Sequence, residues 1–372
     1  MHISTIGVEE WLNVWEKSAT WDIAQSTISS LTMDELLSLD GKQGATFYEE
    51  LGREKMNYGW IEGSPEFKEQ VAQLYKSSIE PRRILQTNGA TGANLNALMA
   101  IVRPGDHVIA EYPTYAPLYE IPRMLGADVE YWHLREDLDW QPDIEELKEL
   151  VRPNTRLICI NNASNPIGTV LSADTVHQIA EIAASVGSYV LSDEVYLPME
   201  DTEHYVSMVD VYEHAIVTNS ISKTYSVPGA RIGWVIADNE VSDLIRTYRD
   251  YTMICGGVFN DLLATYVLRN KDKILERNRK IVLGNRKIAQ QWIDGQPRVS
   301  WVAPRGVSTS YIKLDIPVDD EEFCKKILKD EGVLLVPGSR FDLPCGARLG
   351  YCAQPDILRE GLKRLGKALA SF

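Results

Sequence analysis

The chain has 372 residues, 44% of them hydrophobic, and its 53 acidic against 38 basic residues give a formal net charge of −15. That length exceeds what one hydrophobic core usually supports, so a large domain with a smaller companion is expected, and the acidic balance disfavours nucleic acid or an anionic membrane as partner. Five cysteines, Cys159, Cys255, Cys324, Cys345 and Cys352, form an odd, scattered set with no CxxC spacing, which argues against a disulfide framework or zinc site and for a reducing cytoplasm.

Met1 to Glu10 has no basic flank leading into an apolar core, and no later run approaches the length of a membrane span, so the chain reads as soluble and unprocessed. Val8, Trp11, Leu12 and Trp15 recur at helical spacing, and the expected role of this first helix is ordinary core packing of two indoles. Trp21 to Ser30 is extended and polar. Thr32 stands three residues before Glu35, the signature of a capped helix reaching Leu37. Tyr58-Gly59-Trp60 and Gly63 then precede a helix over Glu66 to Tyr75, with Phe67, Val71, Leu74 and Tyr75 on one face.

Ile84 to Asn88 predicts a strand, and Gly89-Ala90-Thr91-Gly92 a tight turn into the apolar helix Ala93 to Val102. Amides at the first turn of a helix are unpaired and sit at the positive end of its dipole, so Ala90 and Thr91 suit phosphate oxygens. Thr91 acting only as a helix cap is the equal alternative. The strand Asp106 to Ala110 ends in Glu111-Tyr112-Pro113-Thr114-Tyr115, where an aromatic suits a flat heterocycle; Tyr115 is the choice, with Tyr112 or mere packing as alternatives.

Val129 to Leu134 predicts a strand and Ile144 to Val151 a helix with acids near its start. The strand Arg156 to Ile160 empties into Asn161-Asn162-Ala163-Ser164-Asn165-Pro166-Ile167-Gly168, where proline and glycine fix the amide of Asn165. After the helix Ala173 to Val186, the strand Ser188 to Leu191 ends in Ser192-Asp193-Glu194-Val195-Tyr196. A carboxylate buried there needs a cationic partner; a solvated acidic turn is the alternative for Asp193 and Tyr196 alike.

Ala215 to Thr218 and Arg231 to Ala237 read as buried strands, with Ser220-Ile221-Ser222-Lys223 between them. A lysine at a strand end is desolvated easily, and once neutral it forms a Schiff base with an aldehyde. Ser220, Ser222 and Arg231 add hydroxyls and a planar fork of N–H groups suited to phosphate. The aldehyde that carries a phosphate is pyridoxal 5'-phosphate. On this reading Lys223 holds that cofactor, Asn165 and Tyr196 donate to its ring oxygen, and Asp193 keeps its ring nitrogen protonated so that the ring stays an electron sink.

The helices from Glu240 to Trp292 carry solvated charge runs such as Arg277 to Lys280 and no assigned chemistry. Trp301 to Ile312 and Gly332 to Val336 predict strands of a smaller α/β unit joined by the helix Asp320 to Glu331. Arg348, in Ala347-Arg348-Leu349-Gly350-Tyr351-Cys352, offers a bidentate fork for a carboxylate, with an edge-strand salt bridge as alternative.

The segment Ser220, Ile221, Ser222, Lys223, Gly229, Arg231, Gly233 resembles the lysine signature of the class I and II aminotransferases, pyridoxal-phosphate enzymes of fold type I. Tyr58, Ala90, Thr91, Tyr115, Asn165, Asp193, Tyr196, Ser220, Lys223, Arg231 and Arg348 stand in the family's order. Against the family pattern Asn-Pro-x-Asn-Pro-Thr-Gly, this chain keeps Asn162, Asn165, Pro166 and Gly168 but has Ala163 and Ile167. Pro337-Gly338-Ser339-Arg340-Phe341 resembles the family's Pro-Gly-x-x-Phe.

The resemblance implies an α/β fold, a mixed, mostly parallel seven-stranded sheet with helices on both faces plus a smaller α/β domain. The implied division is 1–40 as an N-terminal arm and part of the small domain, 41–265 as the cofactor domain and 266–372 as the small C-terminal domain. It further implies a homodimer whose neighbouring subunit brings Tyr58 to the phosphate, with Asn165 and Arg348 binding substrate. The expected reaction moves an amino group from an L-amino acid to a 2-oxo acid, Lys223 serving as Schiff-base partner and then as base at Cα.

A lyase or cyclase on the same site is the alternative. The Gly-x-Pro of many transaminases is replaced here by Asp22-Ile23-Ala24-Gln25-Ser26-Thr27-Ile28-Ser29-Ser30. Val8-Glu9-Glu10-Trp11-Leu12, Asp22-Ile23 and Arg249-Asp250-Tyr251-Thr252 look similar to capreomycidine synthase. A regulator that binds the cofactor without turnover is disfavoured by the intact Lys223.

Overall fold

A computed structural model describes residues 3–42 and 44–371 of the chain. Its central sheet has seven strands: β1 (Ile84–Thr87), β2 (His107–Tyr112), β3 (Asp128–His133), β4 (Thr155–Asn161), β5 (Tyr189–Asp193), β6 (Ala215–Ser220) and β7 (Gly233–Ile236). They lie in the order β1-β7-β6-β5-β4-β2-β3. The five strands from β3 to β6 in that order pair in parallel, while β7 runs antiparallel to both β6 and β1.

The inner strands are apolar on both faces because both faces are covered, as a parallel sheet requires, while the edge strand β3 buries only Trp132 fully. Alternate residues divide between two cores with the period of two that a pleated strand imposes. Val108, Ala110, Leu157, Cys159, Leu191, Ile216 and Val235 pack with the Gly89–Ile101 and Asn239–Arg249 helices. Ile109, Ile158, Ile160, Val190, Val217 and Ile236 pack on the other face with the Ala173–Val186 helix.

A third core joins the two ends of the chain. Val8, Trp11, Ile23 and Ile28 pack with Ile312, Phe323, Val333, Leu349, Leu358 and Leu362. Here a four-stranded antiparallel sheet runs Val336–Pro337, Gly346–Leu349, Ser310–Leu314, Val299–Ser300. Trp21–Asp22 pairs in parallel with Val333–Leu334 beside it.

Several elements differ from the sequence expectation for local reasons. The helix expected over Glu66 to Tyr75 spans Pro65–Ala72, and Tyr75 leaves it to accept a 2.9 Å hydrogen bond from Trp234 Nε1. The glycine-rich stretch after β1 is itself helical from Gly89, so Ala90 and Thr91 occupy the first turn, and Thr91 does not cap it. Arg231 lies before its strand at φ 52°, and β7 begins at Gly233. The expected strand Trp301 to Ile312 is irregular up to Thr309, because Pro304 has no ladder donor and Gly306 sits at φ 69°. The Gly332 to Val336 segment is split between two different sheets.

Candidate active site

The carboxyl ends of parallel strands are where an open α/β sheet leaves a crevice. Here Asn161 ends β4, Asp193 ends β5 and Ser220 ends β6, and all three line one cavity of about 450 Å³. Ala90, Thr91, Tyr115, Asn165, Tyr196, Ser222, Lys223, Arg231 and Arg348 line it too. Of the site residues expected from the sequence, Tyr58 alone lies elsewhere, on an exposed segment.

Lys223 sits in the turn after β6, which is closed by backbone hydrogen bonds from Ile221 N to Ile232 O and from Val227 N to Ile221 O. Its Nζ donates to Ser26 Oγ at 2.9 Å. Desolvation, helped by the charge of Arg348, lowers its pKa from 10.5 to about 8. A substantial fraction of this amine is therefore neutral near physiological pH.

Asp193 is buried, and burial raises its pKa from 3.8 to about 6 against the opposing effect of its hydrogen bonds. Asn94 Nδ2 donates to its Oδ2 at 2.7 Å and Val195 N to its Oδ1 at 3.2 Å. Asn161 Nδ2 donates to the Asp193 carbonyl at 2.9 Å, while Asn161 Oδ1 accepts from Asn165 N at 2.8 Å. The asparagine loop and the carboxylate are thus tied into one frame.

At the other end of the cavity the Gly89–Ile101 helix begins without a side-chain cap. Gly89 adopts φ 68°, and a Cβ placed there would stand 2.7 Å from Arg231 Nη2, so glycine is what admits the guanidinium over the first turn. Ser222 N donates to Ser220 Oγ at 3.2 Å, and Thr91 Oγ1 lies 3.3 Å from Tyr115 Oη. Tyr112 faces away, stacked on Tyr131 at 3.9 Å and donating to Asp342 Oδ2 at 2.7 Å. Of the two tyrosines weighed from the sequence, only Tyr115 lines the cavity.

Arg348 enters from the four-stranded sheet and is 2% exposed. Nη1 donates to Asn165 Oδ1 at 3.1 Å and Nη2 to Ala24 O at 2.9 Å, while its Nε has no partner among the described residues. Burial of an arginine with one donor unmatched is costly unless a ligand takes it.

Other lining residues escaped the sequence reading: Asn161, Gln25, Ser26 and, from the N-terminal helix (Gly7–Trp15), Val8, Glu9, Leu12 and Asn13, with Glu16 just beyond it. Asn94 escaped it as well. Its signal was an asparagine inside an apolar helix, since a buried amide demands partners.

Comparison with known proteins agrees with this geometry. A family model described as aminotransferase class I and II matches residues 39–365. A crystal structure of a PLP-dependent aminotransferase from Streptococcus suis 89-1591 is similar with a TM-score of 0.97 at 50% identity, covering 100% of this chain and 99% of that one. Aspartate aminotransferase of Thermotoga maritima is 28% identical over 309 residues, 81% of this chain and 79% of that protein. Capreomycidine synthase of Streptomyces vinaceus is 26% identical over 372 residues, 98% of this chain and 93% of that protein.

Proposed function

Because this chain belongs to the class I and II aminotransferases, pyridoxal-phosphate-dependent enzymes of fold type I, we propose that Lys223 is the amine that holds the cofactor and moves the substrate proton. The reaction passes an amino group from an amino acid to a 2-oxo acid. Bound pyridoxal phosphate supplies the aldehyde that carries the amino group and a ring that withdraws electrons from Cα.

The residues present fit that group. Asp193 is a buried carboxylate without a direct ion-pair partner among the described residues, which suits a protonated ring nitrogen. Arg231, Ser220, Ser222 and the uncapped first turn at Ala90 and Thr91 suit its phosphate. Asn165 and Tyr196 would donate to the ring oxygen, and Tyr115 would cover a ring face.

Arg348 then receives the substrate α-carboxylate, using the Nε that has no partner among the described residues. That contact would turn Cα toward Lys223, whose amine, with its pKa of about 8, would take the proton from Cα and deliver it to the carbon that was the cofactor's aldehyde. Asp193, in its carboxylate form above a pKa of about 6, would keep the ring nitrogen charged. The observation that carries this reading is the meeting of Lys223, Asp193 and Arg348 in one cavity.

The test is turnover of amino acids with pyruvate or 2-oxoglutarate as acceptor. Ammonia release with no need for an oxo acid favours a lyase instead, and conversion of a hydroxylated amino acid to a cyclic one with loss of water and no ammonia favours a cyclase. One observation supports keeping that second reading: the similarity to capreomycidine synthase takes in 98% of this chain, and so most of the stretch before residue 39 that the family match leaves out.

We also propose a homodimer in which Tyr58 serves the neighbouring site. Met56, Tyr58, Trp60, Tyr251 and Ile254 are exposed at 68%, 69%, 59%, 87% and 55%, large apolar side chains that a neighbouring subunit would cover. Light scattering in solution checks this. The division at 1–40, 41–265 and 266–372 is proposed as well, supported by the separate core that joins the chain ends. Among the described residues no helix is long and apolar enough to cross a membrane. All five cysteines are free, which supports a reducing cytoplasm as the place of work.

A further inference from the structure

The N-terminal helix is fixed in rotation by three contacts. Trp11, 1% exposed, donates its Nε1 to Leu335 O at 2.9 Å, Val8 is buried in the same core, and Glu10 pairs with Arg340. With that side committed, the residues spaced three to four apart from Glu9, namely Leu12, Asn13 and Glu16, share the face that lines the cavity.

The cavity's charges can be matched one by one. Arg231 answers a phosphate, Asp193 a ring nitrogen, Lys223 an aldehyde and Arg348 an α-carboxylate. These three cations are the ones lining the cavity among the described residues. Glu9 and Glu16 remain over. Among the described residues the Glu9 carboxylate accepts no hydrogen bond and closes no ion pair. Among the described residues the Glu16 carboxylate is held only by the neutral amide of Gln25, whose Nε2 lies 2.9 Å from Glu16 Oε1 and 2.9 Å from Asp22 Oδ2. The charge of Glu9 reaches the working groups, opposing the loss of basicity at both Lys223 and Arg348.

We propose that the amino-acid substrate carries a second positive charge, an amine or guanidinium at the end of its side chain, and that Glu9, backed by Glu16, receives it. The proposal rests on the aminotransferase reading of this cavity. Arg348 fixes one end of the substrate through the Nε that has no partner among the described residues, and Leu12 offers apolar surface for the methylenes of a side chain such as that of arginine, ornithine or lysine. An acidic side chain meets like charge at Glu9, with no lining cation left to answer it.

The experiment compares arginine with its neutral counterpart citrulline, lysine with norleucine, and both pairs with aspartate and glutamate. Two readouts are taken: kcat/KM of the holoenzyme, and the dissociation constant for cofactor-loaded Lys223→Ala protein, read from cofactor absorbance. Arginine is expected to exceed citrulline by about tenfold or more in both, as a charged hydrogen bond implies. Glu9→Gln should bring that ratio toward one, and Glu9→Lys should move selectivity toward glutamate. A ratio near one in the wild type, a ratio unmoved by Glu9→Gln, or preference for aspartate overturns the proposal. If no amino acid binds or reacts, the aminotransferase reading itself fails; if only neutral or acidic ones do, this proposal alone fails.

Discussion

Asn94 and Asp193, on a helix and a strand 99 positions apart in the chain, meet through a 2.7 Å hydrogen bond from Nδ2 to Oδ2. Thr218 Oγ1 donates to Asn94 Oδ1 at 2.6 Å, so the amide cannot turn and its donor stays on the carboxylate. Asn94→Leu leaves two buried oxygens without partners. The expected loss is about 1–3 kcal/mol of folding stability, measured by denaturant unfolding of cofactor-free protein, together with weaker cofactor binding.

Burial sets the pH range in which Asp193 serves the cofactor. Its pKa of about 6 means that it is protonated, and unable to pair with a cationic ring nitrogen, as pH falls below that value. Affinity for pyridoxal phosphate should therefore drop as pH falls through about 6, and Asp193→Asn should bind weakly with little pH dependence there. Fluorescence titration across pH 5 to 8 checks this. For folding of the cofactor-free protein the sign is opposite: a raised carboxyl pKa contributes stability below 3.8 that is lost as pH rises through about 6.

Glu111 gives a cleaner case. It is buried, its Oε2 accepts from Asn161 N at 2.8 Å, its Oε1 has no partner among the described residues, and burial pushes its pKa from 4.5 to about 8. The carboxyl is therefore neutral at pH 7, at a cost to folding that grows from about 4.5 to about 8. Glu111→Gln keeps the shape and removes the titration. Its melting temperature should gain on the wild type by a few degrees between pH 5 and pH 8. A constant difference across that range contradicts the assignment.

Gly89 and Arg231 make a separable prediction about the phosphate. A Cβ at Gly89 would stand 2.7 Å from Arg231 Nη2 and would also strain a backbone at φ 68°. Gly89→Ala and Arg231→Ala should each weaken pyridoxal phosphate binding by about tenfold or more, the worth of a charge-assisted contact, while binding of pyridoxal without its phosphate changes little. Equal losses for both compounds contradict the phosphate role.

Much of this fold was legible because its elements carry local signals. The Thr32–Glu35 capping box, the Ala173–Val186 helix and the Asp320–Glu331 helix form where spacing and caps placed them. Lys223, Asp193, Asn165 and Arg348 were legible as residue types at strand ends and loops, and one cavity gathers them. What escaped was whatever depends on long-range packing. Ser26 reaches Lys223 only because the chain ends share a core, and no local pattern records that. The indole spacing of the N-terminal helix predicts core packing, yet the opposite face supplies Glu9 and Asn13 to the cavity. Pro304 and Gly306 interrupt a run that hydropathy alone reads as a strand.

Attachment at Lys223 is tested most directly by borohydride reduction of the cofactor-loaded protein followed by peptide mass mapping. The account predicts the pyridoxyl mass on the peptide containing Lys223 and its absence from Lys223→Ala. A label on another lysine, or an unlabelled wild-type protein, contradicts it.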